Sequence, residues 1–150
     1  GVSMGAATVM MLSGDTVSKN VACFVEDCGY SSVWNEFKHV LQKNYKISAT
    51  SLLKSASNKA KKLYNYDFSK SSSVEQVKKS SLPMLFIHGD ADSYVPTKMV
   101  YELYEAKPEP KELWIVSGAA HDESYKINPD EYTERIKEFI TKYGVIQHED

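Results

Sequence analysis

Long apolar runs are missing from this chain of 150 residues, and so is an excess of either charge. No stretch approaches the roughly 20 consecutive apolar residues of a membrane-spanning helix. Lysines and arginines number 18 against 20 acids, a formal net charge of −2. A nucleic-acid binder carries a basic face, so no nucleic-acid partner is expected. The two cysteines, Cys23 and Cys28, are too few for a disulfide framework. Cys23 sits inside an apolar run and reads as a buried free thiol. No Cys/His set has the spacing of a zinc site, and no motif asks for a cofactor, so neither metal nor cofactor is expected. There is no internal repeat. The chain starts at Gly1 without an initiator Met, and the expectation is a lost upstream segment. Compartment therefore stays open between cytoplasmic and anchored to a membrane through that segment.

What is present is a regular alternation of elements. Met4–Leu12 reads MGAATVMML, apolar on every side, which predicts a buried helix ended by Gly14. Val21–Val25 is a continuous apolar run, suited to a central strand of a parallel sheet. Val33, Trp34, Phe37, Val40, Leu41 and Tyr45 have helical spacing, with Ser31 or Ser32 as N-cap. A second amphipathic helix runs from Ala49 to Tyr64, and its Lys54, Lys59, Lys61 and Lys62 read as a solvated face. A polar loop over 65–73 and a short helix at Val74–Lys78 lead to the second strand, Met84–His88. A helix at Thr97–Ala106, with Met99, Val100, Leu103 and Tyr104 inward, precedes the third strand, Glu112–Val116. The last helix has Asn128 as N-cap, Pro129 at its first position and Glu131 at the capping-box site. Tyr132, Ile136, Phe139, Ile140 and Tyr143 are its inward stripe, Gly144 its stop, and Val145–Asp150 a frayed tail. Strands alternating with helices predict an α/β fold with a parallel sheet, whose chemistry gathers at the carboxyl ends of the strands.

Three stretches at those ends carry chemistry. Gly1-Val2-Ser3-Met4-Gly5 fits G-x-S-x-G, which sets a serine on a crowded strand-to-helix turn. Alone, this pentapeptide is equally compatible with a plain turn. Asp92 lies just past the second strand, in GDADSYVP. His121 lies just past the third, in SGAAHD. A serine hydroxyl needs a base, and the base needs a carboxylate to hold its tautomer. Ser, acid, His is the order in which Ser3, Asp92 and His121 occur. Asp90 competes for the acid role but reads as a turn former beside Gly89. His88 reads as structural, and His39, His148 and Asp122 need no role. Asp27 and Cys28 follow the first strand and could touch substrate, though a cap or turn role suits Asp27 as well.

The stretches GVSMG, LPMLFIHGDADSYVP and SGAAHDESY resemble the α/β-hydrolase family, most closely bacterial serine hydrolases of its esterase and peptidase-like branch. The resemblance runs from Gly1 to about Tyr143 and covers the second half of that fold. It implies Ser3 as nucleophile, Asp92 as orienting acid and His121 as general base. It assigns one oxyanion donor to the Met4 backbone N–H and the other to an HG-type loop upstream of Gly1. It implies that residues 30–80, between the first and second strands, form a helical cap that shapes an acyl pocket. The expected reaction is hydrolysis of an ester, thioester or amide in a small-molecule or acyl/peptide substrate. A non-catalytic binding module on the same fold and an acyltransferase are the alternatives. As a partial fold with an open strand edge, the 150 residues alone are expected to be inactive and to self-associate.

Overall fold

A computed structural model describes residues 1–46 and 49–144, so the tail at 145–150 lies outside the described residues. Three parallel strands, β1 (Phe24–Asp27), β2 (Met84–Gly89) and β3 (Lys111–Val116), form one sheet in the order β1-β2-β3. Phe24 pairs with Met84, and Met84 with Lys111. Helix α1 (Met4–Ser13) precedes β1. Helices α2 (Val33–Tyr45), α3 (Ala49–Tyr64) and α4 (Ser73–Val77) lie between β1 and β2. Helix α5 (Lys98–Ala106) joins β2 to β3, and α6 (Ser124–Ile127) and α7 (Pro129–Tyr143) follow β3.

The central strand explains its own sequence. Every residue of β2 is buried. Side chains alternate across a strand, so Met84 and Phe86 join Met10, Phe24, Val100 and Leu103 on one face. Leu85 and Ile87 join Trp114, Val116 and Phe139 on the other. Two covered faces require an uninterrupted apolar run, and each such side chain contributes about 1.5–3 kcal/mol on burial.

The first strand corrects the sequence reading. It runs from Phe24 to Asp27, not Val21 to Val25. Pairing begins where the Phe24 N–H meets the Pro83 carbonyl and continues through two acidic residues. Val21 and Cys23 still pack against the core from outside the strand. Apolarity located the buried neighbourhood, whereas the ladder is set by backbone pairing and includes side chains that a strand template rejects. The remaining boundaries of the expected elements held or moved by one residue, as helix and strand ends do.

Helix α1 is also different from its expectation. Ala6, Ala7, Met10 and Ser13 are buried, but Met4 is 72% exposed and Leu12 46%. The helix packs one face on β1 and α4, and its other face is uncovered among the described residues. On α7, Phe139 is buried but Ile140 is exposed. Asn128 makes no side-chain cap bond, and Glu131 turns to Arg135 at 2.8 Å instead of closing a capping box.

The segment between β1 and β2 is an excursion that returns to its origin. Val33 N–H donates to Ser71 O and Val74 N–H to Ser31 O, so the two ends are stitched together. Ser32 caps α2 through Asn35 N–H at 3.0 Å. At its far end α2 reaches the loop after β2: Lys43 Nζ donates to Ser93 O at 2.6 Å and His39 Nε2 to the same carbonyl at 3.1 Å. The four lysines of α3 are exposed, as a solvated face requires.

Candidate active site

The turn at Ser3 is built by residues 1–5 lying beside the end of β1. Ser3 N–H donates to Asp27 O at 2.8 Å, and Asp27 N–H to Gly1 O at 3.0 Å. The chain then turns into α1 with Ser3 at φ 52° and ψ −116°, a conformation that costs a non-glycine residue of order 1–3 kcal/mol. The two motif glycines are not equivalent. A Cβ on Gly1 would stand 2.3 Å from Gly5 O, whereas one on Gly5 meets open space. The first glycine is thus a steric requirement of the turn.

The loops after β2 and β3 converge on Ser3. Gly89 lets them close: a Cβ there would stand 2.0 Å from Ala119 O. Ala91 N–H donates to that same carbonyl at 3.1 Å. In the result, Ser3 Oγ is 2.9 Å from His121 Nε2, and His121 Nδ1 is 2.8 Å from Asp92 Oδ2. An ionised carboxylate only accepts, so Nδ1 carries the proton and Nε2 is left to accept from the serine. Asp92 is 6% exposed. Its Oδ1 accepts from the Tyr94 and Val95 N–H groups, each at 2.9 Å. Burial pushes the Asp92 pKa up, but His88, His121 and the Val95 N–H outweigh it, and the net displacement is below the ordinary aspartate value.

The other residues singled out in the sequence take definite places. Asp90 is exposed and accepts from Gly118 N–H at 2.7 Å, bracing the two loops away from the His121 ring. Met4 opens α1 beside Ser3, and no acceptor for its N–H occurs among the described residues. Asp27 and Cys28, read as possible substrate-lining groups, are 3% and 1% exposed. They lie beneath the site because β1 continues through Asp27, and the Cys28 N–H goes on to bond Ile87 O at 2.9 Å. Asp27 accepts from Ser124 Oγ at 2.9 Å, and burial raises its pKa. Burial also pushes the Cys28 thiol up to about 12.

Donor atoms of Cys28, Asp92 and His121 lie within 4.8 Å of one another. The set does not fit a cation. Both Asp92 oxygens are already engaged, and a metal-binding cysteine must be a thiolate.

Four residues near the site were given no part in the chemistry by the sequence reading, His88 being read as structural. Tyr94, half-exposed, lies with its ring centroid 4.8 Å from that of His121. His88 is fully buried, with Nε2 2.9 Å from Val95 O and 3.3 Å from Asp92 Oδ2. Glu26 is fully buried on β1, and burial pushes its carboxyl up to about 8. Glu36, 5% exposed on α2, has no hydrogen-bond partner for either carboxyl oxygen among the described residues. Burial, then the Asp92 charge, push it up to about 7. The sequence held two usable signals: His88 and Asp92 bracket a glycine at a strand end, and Glu26 is an acid beside an apolar run.

No protein-family profile matches the chain. It is 30% identical over 140 residues to an uncharacterized protein, YqkD, of Bacillus subtilis (strain 168), covering 93% of this chain and 46% of YqkD. Among solved structures it is similar to the esterase domain of a Rhodothermus marinus protein, with a TM-score of 0.68 and 17% identity, over 95% of this chain and 58% of that one. It is similar also to the alpha/beta hydrolase GrgF of a Penicillium species, with a TM-score of 0.65 and 16% identity, over 95% of this chain and 62% of GrgF. The chain thus spans about half the length of YqkD.

Proposed function

We propose, from the premise that the chain has the α/β-hydrolase fold, that the whole protein is a serine hydrolase acting on an ester, thioester or amide. The observation that carries this reading is the unbroken line from Ser3 Oγ to His121 at 2.9 Å and on to Asp92 at 2.8 Å. In the proposed reaction Ser3 Oγ attacks the acyl carbonyl while its proton passes to His121 Nε2. The oxyanion accepts from the Met4 N–H at the start of α1. Collapse breaks the bond to the alcohol, thiol or amine, which leaves with the proton from His121. Water then attacks the acyl-Ser3 ester by the same proton path, and free acid leaves. Asp92 stays ionised throughout and stabilises the imidazolium. A module that only binds has no use for a serine held at φ 52°, and this strain favours catalysis over binding.

The excursion over residues 30–80 is the cap of this reading. Tyr30, Val33 and Tyr66 from it face Met4, Thr8 and Met11 of α1 across a groove of about 340 Å³, which we assign to the acyl chain. The test is to assay the full-length protein on p-nitrophenyl esters of increasing chain length. Turnover should occur and vanish in His121→Ala. Thr8→Trp, at an exposed position on the groove wall, should lower kcat/KM for long chains about tenfold while sparing acetate. Turnover indifferent to His121 contradicts the mechanism, and an unaltered chain-length profile contradicts the groove.

Self-association belongs to the same proposal. On the β1 side the sheet ends in residues 1–3, which pair along Val25–Asp27, and an edge that short, with Gly1 and Val2 exposed, is a template for another strand. The isolated 150 residues should elute larger than the 16.9 kDa monomer, and a monodisperse monomer would contradict this.

A further inference from the structure

Beside Asp92 lies a buried polar pair, His88 and Glu26, that the mechanism above does not use. His88 occupies β2, the most buried strand, among Met84, Leu85, Phe86 and Ile87. An apolar side chain would suit that position, and burying an imidazole there is costly unless its nitrogens are satisfied. Nε2 is satisfied: a carbonyl can only accept, so the 2.9 Å contact with Val95 O places a hydrogen on Nε2. The same nitrogen is 3.3 Å from Asp92 Oδ2, the oxygen that receives His121. Among the described residues Nδ1 has no hydrogen-bond partner, and neither does Oε1 of Glu26. Glu26 pairs in register with Phe86, so Glu26 and His88 fall on one face of neighbouring strands, in the diagonal relation that long side chains bridge. Two unpartnered polar atoms, both fully buried and on one face, call for an explanation.

We propose that His88 is a positioning residue: its Nε2–H, shared between Val95 O and Asp92 Oδ2, keeps the carboxylate ionised and aimed at His121, with the Glu26 carboxyl backing the ring from the neighbouring strand. The inference rests on the serine-hydrolase reading of Ser3, His121 and Asp92. Val95 also donates its N–H to Asp92 Oδ1, so His88 grips both the carboxylate and the residue that holds it. Burial alone would lower the His88 pKa, but Asp92, Val95 O and Glu26 more than offset that and raise it.

Removing a hydrogen-bond donor from Asp92 raises the proton affinity of the Asp92–His121 pair, because the carboxylate becomes more basic and attracts the imidazolium more strongly. The other titratable groups around these residues are Cys28 and Glu36 near Asp92, Glu26 and Asp27 near His88, and Tyr94 against the His121 ring. Glu36→Gln is therefore used as the background, since Glu36 is the neighbour pushed to about 7.

The experiment compares His88→Asn with His88→Gln in the full-length protein. A glutamine amide reaches the place of Nε2, whereas an asparagine amide falls at the place of Nδ1. In His88→Asn the acid limb of kcat/KM should move up by about one pH unit, with the rate at neutral pH down tenfold or more. His88→Gln should leave the limb in place. A limb unmoved in His88→Asn, with activity lowered equally at all pH, would mean only a structural role and overturn the proposal. Equal shifts in Gln and Asn would overturn it too. NMR titration of the His121 ring in both variants reads the same difference without turnover, so an inert Ser3 would sink the hydrolase reading and leave this arm to judge His88. Should neither variant fold, ring-nitrogen NMR of the unmutated protein decides: a hydrogen on Nε2 of His88 is expected, and a bare Nε2 refutes it.

Discussion

Replacing Asp92 by asparagine should lower kcat about 10⁴-fold while leaving the fold intact. The reason lies in the direction of each hydrogen bond. Asp92 accepts at Oδ2 from His121 Nδ1, which leaves Nε2 bare and facing Ser3 Oγ. An asparagine can turn its NH₂ toward Nδ1. The ring then carries its hydrogen on Nε2 and cannot take the serine proton. The backbone N–H groups of Tyr94 and Val95, which donate to Oδ1, still hold the side chain through the one oxygen the amide keeps, so geometry survives and chemistry does not. Asp90→Asn is the control. Asp90 is exposed and contacts Gly118 N–H, a bond that an asparagine oxygen also accepts, so kcat should stay within a few-fold. Steady-state kinetics on one ester separates the two. Equal losses, or a larger loss at Asp90, would move the acid role to the wrong side of the loop and contradict the site.

The second large effect is at the turn itself. Ser3→Ala should remove turnover by about 10⁶, the scale seen when a nucleophile is deleted from a triad that acts as a unit. Ser3→Gly should be equally inactive yet more stable than the unmutated protein by about 1 kcal/mol, because glycine adopts φ 52° without the penalty of a Cβ. Thermal denaturation of the two variants measures this. A glycine variant less stable than the alanine one would show that the backbone at Ser3 is not strained. The opposing changes, lost rate and gained stability at one residue, are the mark of a conformation kept for chemistry.

How far these features were readable in the sequence depended on what sets them. Strand β2 was legible because both its faces are covered, which forces a continuous apolar run that few other structures require. The places of Asp92 and His121 were legible because each follows a strand's carboxyl end and the sheet is parallel, and that of Ser3 because G-x-S-x-G marks the turn into a helix. The order of motifs along the chain thereby became proximity in space. Strand β1 was misplaced by three residues at its start because its last two residues, Glu26 and Asp27, are acids. Their burial is made possible by Ser124, which lies 97 positions along the chain, and by a carboxyl held neutral. Neither is visible in a local window. Asp27 and Cys28 were read as possible substrate-lining groups just past the strand for the same reason. Helix α1 was read as buried all round because composition reports what a face could bury and not what lies against it. His88 was set aside as structural, and only the 3.3 Å contact with Asp92 gives it another part.

The most direct test of the central claim is the site of covalent attachment. A fluorophosphonate probe reacts with a serine only when a base has activated it. The full-length protein should be treated with the probe, digested, and the modified peptide sequenced by mass spectrometry. The account predicts one adduct, on Ser3, abolished by His121→Ala. An adduct on any other residue, or none on a folded protein, would contradict it.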